Sequence, residues 1–354
     1  MRWFLGLVLV IALLTGVLYG VGRFLLPNAL EVSRQISIER PRAAVFAMTN
    51  DLRIAREWSP YYAKDPDAEY VFSGEGPGAG QTMRWSSGLR DIGQGRISIV
   101  SSTPNQEVDS IIELGDRATL NSRFEVRASG DAASMVNWMV SAQCAEGWIN
   151  VPCRYMNQVL RGRIQSDLDD GLARLKTLAE QLPAVDFEGY GIARVPVAPQ
   201  DVLFVDVTIA KPNPTFEDRA VAEAAGIAHL NRFFADSGMQ IPGQLVRVFR
   251  APEGGVMRFS VGYPYSGPAP LSLVGVRVGQ TPGGAALQAD FSGRRSQIPT
   301  MYPRMEAFLQ AHRIPPRADT ERWEIVDLSS ITESAYPGDP VERAEIYFPI
   351  DAEQ

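Results

Sequence analysis

Residues 3–22, from Trp3 to Gly22, carry no charged side chain, and Arg2 and Arg23 bracket the run. As a helix, twenty residues span about 30 Å, the thickness of a bilayer's hydrocarbon core. A cleavable signal has a shorter apolar region, about 7–15 residues, with a small-residue site behind it. The exit here, Val21-Gly22-Arg23-Phe24-Leu25-Leu26, offers no such site. The segment over residues 1–29 therefore reads as an uncleaved single-span anchor, with a signal peptide as the alternative. Trp3 and Tyr19 stand near its two ends, where amphipathic rings prefer the interface. Arg2 favours a cytoplasmic N-terminus, but Arg23, Arg34, Arg40 and Arg42 follow on the other side, so the charge pattern leaves orientation open.

The rest of a 354-residue chain is long enough for two folded domains. Asp and Glu outnumber Lys and Arg, 41 to 34, for a net charge of −7. That balance argues against a nucleic-acid-binding surface, which works by neutralising phosphates. Two Cys and two His cannot build a four-ligand zinc site without carboxylates. His229 and His312 each sit in a helical pattern with no nucleophile in catalytic spacing, so both read as helix-surface or packing residues. Chemistry here has to rest on carboxylates, Tyr and Arg, and no cofactor is expected. Cys144 and Cys153, nine apart, are either a disulfide or two separate buried thiols. A disulfide would place the body on the oxidising side of the membrane, which makes the periplasmic or extracytoplasmic side the preferred one.

Along the body, Leu30–Ile38 predicts a strand and Arg40-Pro41 opens a helix through Met48. Strand-like runs follow at 68–73, 81–86, 95–101, 106–113, 121–127 and 135–142, separated by Gly, Pro, Asn and Asp. Ile164, Leu168, Leu172, Leu175 and Leu178 then recur at helical spacing, predicting a long helix buried on one face. Pro183 stops it, and the Pro- and Gly-punctuated stretch 183–200 reads as a linker and domain boundary. Beyond it a pattern occurs twice. Strand 202–209, helix 217–236 and strands near 244–249 and 256–263 are echoed by strand 285–291, helix 298–312 and strands near 322–327 and 344–348. A duplicated βαββ unit predicts one sheet with two helices on one face and a concave surface on the other. The fold class is α+β: a transmembrane helix, an antiparallel sheet around a long C-terminal helix, and the duplicated βαββ domain.

The quoted order, with Glu57-Trp58-Ser59-Pro60, Asp65-Pro66, Gly74-x-Gly76-x-Gly78-x-Gly80, Trp85 and the closing Asp167-Leu168-Asp169-Asp170-Gly171-Leu172-Ala173-Arg174-Leu175-Lys176, resembles the polyketide-cyclase-like branch of the SRPBCC (START-like) superfamily. The resemblance covers about residues 31–182 within a domain of 30–182. It implies a helix-grip fold enclosing a cavity for an apolar or amphipathic ligand, with Trp58, Tyr61, Tyr62, Trp85, Trp138 and Trp148 as candidate lining residues. Some members catalyse cyclisation or dehydration, and Glu57, Asp65, Asp67 and Asp91 are the nearby carboxylates for such work. Asp65, before a proline, also suits a turn. The glycine run is followed by a strand-like segment where a phosphate loop would open a helix, so it reads as a hairpin loop.

The second half, with Arg322-Trp323-Glu324-Ile325-Val326-Asp327 and Ala344-Glu345-Ile346-Tyr347-Phe348-Pro349-Ile350, resembles the GyrI-like effector-binding domain over about residues 186–352, within a domain of 186–354. That resemblance implies a ligand groove holding an acidic residue of the final strand, at the position of Glu345. Period-2 alternation turns Ala344, Ile346 and Phe348 one way and Glu345 and Tyr347 the other. With the apolar set under the helices, Glu345 and Tyr347 face the concavity, where Tyr263, Tyr265 and Trp323 supply further rings for an aromatic or cationic ligand. Glu345 is also the candidate general base of a small hydrolase. The expectation is a membrane-anchored small-molecule-binding or sensing protein, with an enzyme (cyclase/dehydratase-like or hydrolase) as the alternative. Its partners are a small hydrophobic, aromatic or cationic ligand and, through residues 3–22, the membrane, with no nucleic acid.

Overall fold

Strict alternation builds the first sheet. In Thr119–Ala128 the inward residues are Leu120, Ser122, Phe124 and Val126, and in Ser134–Gln143 they are Ser134, Val136, Trp138 and Val140. The register sets Phe124 opposite Trp138 and Val126 opposite Val136, so one face of the pair is a continuous apolar surface. The computed structural model of the chain describes residues 2–90, 92–115, 118–147, 150–211, 213–250, 256–268, 270, 273–317, 321–335 and 338–351. The chain divides into two units, residues 1–186 and 187–354.

The first unit starts with α1 (Arg2–Phe24), an apolar helix long enough to cross a membrane. Seven antiparallel strands follow: β1 (Ala29–Ile38), β2 (Glu69–Ser73), β3 (Thr82–Ser86), β4 (Gln94–Thr103), β5 (Glu107–Glu113), β6 (Thr119–Ala128) and β7 (Ser134–Gln143), in the order β1-β7-β6-β5-β4-β3-β2. Helices α2 (Arg42–Asn50), α3 (Leu52–Trp58) and α4 (Pro60–Lys64) connect β1 to β2, and α5 (Val151–Ala179) closes the unit. The two short helices were not legible as separate elements. Asp51 caps the first by accepting from Arg53 N, and Ser59 caps the second ahead of Pro60. The glycine run is the β2–β3 hairpin loop. Gly74 has φ +111°, and a Cβ there would come 2.8 Å from Gln81 Cα. Within β4, Gly95 leaves room for the Trp85 indole to lie across the backbone, since a Cβ would sit 2.3 Å from that ring.

Cys144, just past β7, and Cys153, in the first turn of α5, form a disulfide with Cα atoms 5.9 Å apart. It closes a short loop joining the last strand to the long helix. Replacing both cysteines by serine is expected to cost about 2–3 kcal/mol, read as a lower midpoint in urea unfolding and matched by adding reductant to the parent protein.

The second unit is an eight-stranded antiparallel sheet with helices α6 (Phe216–Asp236) and α7 (Met301–Ala311), the latter preceded by a 3₁₀ turn over Arg295–Thr300. Its strands are β8 (Ala193–Val197), β9 (Asp201–Ile209), β10 (Gln244–Phe249), β11 (Met257–Pro264), β12 (Arg277–Gln280), β13 (Gly284–Arg294), β14 (Arg322–Thr332) and β15 (Val341–Pro349). The order β12-β9-β11-β10-β14-β15-β13-β8 contains β9-β11-β10 followed by its mirror, β14-β15-β13. Two βαββ repeats therefore meet at the β10–β14 seam. Strand β8 lies inside the stretch read as a linker, pairing with β13 at the sheet edge. Its alternation is short and carries Pro196, which an edge strand tolerates and a central one does not.

Candidate ligand-binding site

The parity of β15 decides which side chains meet the helices. Glu342, Ala344, Ile346 and Phe348 turn to one face, and Ala344, Ile346 and Phe348 join the core that includes Leu230 and Phe234 of α6 and Met301, Met305 and Leu309 of α7. On the same face of β10 lie Leu245, Arg247 and Phe249, and on β14 Glu324 and Val326. Three charged side chains thus enter an apolar face by parity alone. A fourth comes from α6, where Glu223, Gly226, Leu230 and Phe234 form the buried stripe.

These residues meet in one network. Arg247, 2 % exposed, donates from Nε to Glu223 Oε1 at 2.9 Å, from Nη1 to Glu324 Oε2 at 3.1 Å, and from Nη1 and Nη2 to the two Glu342 oxygens at 2.6 and 3.1 Å. Arg295 Nε donates to Glu342 Oε2 at 2.9 Å, and the Tyr302 hydroxyl donates to Glu324 Oε1. Burial raises the Glu324 pKa, and Arg247 and Tyr302 offset only part of that rise. Burial also opposes ionisation of Glu342, but hydrogen bonds from Arg247 and the charges of Arg247 and Arg295 outweigh it and lower its pKa. Burial, reinforced by the neighbouring Glu324, holds the Tyr302 phenol well above its ordinary value, so it stays a donor.

The network is the floor of a cavity of about 700 Å³ between α6 and the 3₁₀ turn with α7. Phe216, Phe249, Phe259, Ile298, Leu309 and Phe348 supply apolar wall. Six arginines line it against three glutamates: Arg219, Arg247, Arg250, Arg295, Arg317 and Arg322, with Glu223, Glu306 and Glu324. Arg322 sits 4.2 Å from the Phe348 ring centre and pairs with Glu306 at 2.8 Å. Arg250 pairs with Glu321. Arg219, on the α6 wall, keeps its Nε buried with no hydrogen-bond partner. The volume suits a drug-sized molecule.

Tyr263, Tyr265, Trp323, Glu345 and Tyr347 do not line this cavity. Tyr263 is core, edge-on to Phe234 with its hydroxyl on Asn231, and Tyr265 packs at the rim of the same core. Glu345 and Tyr347 do face away from the helices, but that face is no open concavity. Tyr347 stacks flat on Trp323, centroids 4.8 Å apart, inside a second cluster with Val202, Phe204, Val246, Val248 and Ala286. Glu345 is exposed, accepts from the Tyr347 hydroxyl and borders a smaller hollow with Asp290, Asp327 and Arg343. The roomy side is the helix side, because α6 and α7 stand apart over the sheet. The missed signal was a charged residue at an apolar parity position, repeated on three strands.

In the first unit, Trp58 and Trp138 are core residues rather than walls of a void. Trp58 packs edge-on against Phe124 and Trp138 at 5.4 and 5.7 Å, and Phe124 stacks on Trp138 at 4.6 Å. Their indole N–H groups donate to Met48 O and Ser122 Oγ. Gly171 of α5 admits the Trp138 ring, as a Cβ there would lie 2.7 Å from it. Trp85 stacks with Tyr61 at 6.3 Å and borders an open hollow with Arg84 and Arg96, while Tyr62 packs against Tyr70. Asp51, the cap of α3, and Asp167 are buried carboxylates of this unit, and Asp167 accepts from Lys64 Nζ at 2.7 Å and the Tyr61 hydroxyl at 3.2 Å. Burial and the Asp167 charge push the Tyr61 phenol up. Asp65 ends α4 and accepts from Ser87 Oγ. Glu57 is half-buried and Asp67 exposed. Trp148 and Asp91 lie outside the described residues. Among the described residues no cluster of three His, Cys, Asp or Glu is placed to hold a metal ion.

No protein-family model matches the chain, and no curated protein does either. Among solved structures the chain is similar to the norcoclaurine synthase of Thalictrum flavum, a point mutant with a transition-state analogue (8% identity, 43% of this chain, 95% of that one, TM-score 0.35). It is also similar to the Zhui aromatase/cyclase of Streptomyces sp. R1128 (13%, 43% and 94%, TM-score 0.33) and to the KanY protein (17%, 44% and 99%, TM-score 0.31).

Proposed function

We propose that this is a membrane-anchored small-molecule-binding protein whose ligand occupies the 700 Å³ cavity of the second unit. The reading takes the first unit as START-like and the second as GyrI-like, and it takes α1 as a single span with the body on the extracytoplasmic side, where the Cys144–Cys153 disulfide persists. The observation that carries it is an apolar cavity over a polar floor, with six guanidiniums against three carboxylates in its lining. That excess, with Arg219 on the α6 wall, selects an aromatic or acyl body with an anionic or hydrogen-bond-accepting head over a cationic one. Arg247 and Arg295 are offset by Glu223, Glu324 and Glu342, and Arg250 and Arg322 pair with Glu321 and Glu306, so the bias comes from Arg219 and Arg317. Within the GyrI-like reading, the strand carboxylate lining the cavity is then Glu324, and Glu345 faces the other way.

Titration of the full chain in nanodiscs with 2-naphthoate, 2-naphthalenemethanol and (naphthylmethyl)trimethylammonium separates the heads. Naphthoate is expected to bind most tightly. Arg219→Met should weaken it about tenfold, or about 1.4 kcal/mol, with little change for the alcohol. Ala220→Trp, which fills the cavity from α6, should abolish binding of all three. Preference for the ammonium would overturn the head-group assignment, and binding unaffected by Ala220→Trp would overturn the site.

A further inference from the structure

The outward face of α5 at its N-terminal end is apolar where a soluble helix is polar. Pro152, Met156, Val159 and Arg163 fall on one stripe at spacings of four, three and four, and Met156 and Val159 are 55 % and 74 % exposed. Charge is divided along the same helix. Residues 151–166 hold Arg154, Arg161 and Arg163 and no acid, while the acids begin at Asp167 and continue with Asp169 and Asp170. In a chain of net charge −7 that basic, apolar half stands apart.

Its position explains it. The first turn of α5 packs on the last turns of α1: a Cβ on Gly22 would meet Val151 and Tyr155, and the Tyr155 hydroxyl donates to Leu18 O at 2.7 Å. Arg154 Nη1 donates to Arg23 O and Leu26 O, satisfying carbonyls where α1 ends. Whatever depth the end of α1 occupies, the start of α5 shares. Phe24 and Leu25, exposed at 82 % and 75 %, extend the apolar surface at that level.

We infer that residues 152–163 of α5 rest in the lipid headgroup layer beside α1, with Met156 and Val159 at the acyl boundary and the arginines among lipid phosphates. The inference rests on α1 spanning the bilayer. The side chains are those of an interfacial helix: an apolar face, guanidiniums flanking it, and a polar remainder. The contact gives the first unit one fixed face toward the membrane rather than a free tether.

The test places a photo-crosslinking benzoylphenylalanine at 156 or 159 of the full chain in liposomes of phosphatidylcholine with phosphatidylglycerol. Controls stand at Ala173, exposed farther along α5, and at Val100 on β4. Lipid adducts are expected at 156 and 159 and not at 173 or 100. Omitting phosphatidylglycerol should cut the yield about fivefold. Alkaline carbonate extraction separates the failures. Protein released to the supernatant removes the spanning helix and the inference with it. Protein retained, with no adduct at 156 or 159 or with equal adducts at 173 and 100, leaves the anchor standing and overturns the interfacial contact. Yields unchanged without phosphatidylglycerol overturn the part played by the arginines.

Discussion

Replacing Arg247 with methionine is expected to lower the unfolding free energy of the second unit by about 3–5 kcal/mol. The substitution leaves Glu223, Glu324 and Glu342, all buried, facing one another with Arg295 as the cation paired to Glu223 and Glu342 and the Tyr302 hydroxyl on Glu324. Urea unfolding followed by the fluorine resonance of 5-fluorotryptophan at position 323, the one tryptophan in residues 187–354, reports on this unit directly. The sign of the pH dependence follows from the two shifted carboxyls. The lowered pKa of Glu342 gives stability that is present above the unfolded value, about 4.3, and is lost as pH falls through its folded value. The raised pKa of Glu324 acts the other way, favouring the fold at low pH and fading as pH rises through its folded value. Without Arg247 the stranded carboxyls must take up protons, so the deficit should be largest at neutral pH and narrow in acid. A loss below about 1 kcal/mol, or one insensitive to pH, would mean that the group is not held as ions.

Trp138→Ala should cost the first unit about 3–5 kcal/mol. The indole is the keystone of the Trp58–Phe124–Trp138 cluster and touches α5 only because position 171 is glycine. Removal strands the Ser122 hydroxyl, to which it donated, and strips one face from each of the other two rings. Gly171→Ala attacks the same contact from the helix side and should destabilise less, in the same direction, since one Cβ can be met by a small ring shift. Far-UV circular dichroism should show the lowered transition while the Trp323 signal of the other unit stays in place. An unchanged midpoint in Trp138→Ala would show that the sheet and α5 enclose a void rather than a packed core.

What could be read from the chain follows the strength of its periodicities. The strands from Leu30 to Gln143, the helix carrying Leu168, Leu172 and Leu175, and both βαββ repeats announce themselves through period-2 or helical spacing. Elements with little period escaped. Leu52–Trp58 and Pro60–Lys64 are too short to show one, and Ala193–Val197 and Arg277–Gln280 are edge strands of five and four residues. The site was harder for another reason. Parity tells which residues share a face, and Ala344, Ile346 and Phe348 lie on the helix side. It does not tell which face is hollow. That depends on how far apart α6 and α7 lie, a property of packing between elements distant in sequence. The aromatic residues drew attention because they are large, yet Trp323 and Tyr347 use their area on each other. The sharper clue was a buried-parity charge: Arg247 and Glu324 stand opposite in register across the β10–β14 seam.

The placement of the Cys144–Cys153 bond has a mechanical consequence. It joins β7 to α5 at the end of the helix that α1 grips through Tyr155 and Arg154. A pull on α1 reaches the rest of the unit along the backbone at β1 and, through its packing on α5, at that junction. Non-covalent packing there could peel turn by turn, starting from Val151. With a covalent link across the junction the load passes straight into β7 and spreads across its hydrogen bonds to β1 and β6, which are loaded together in shear instead of being opened one at a time.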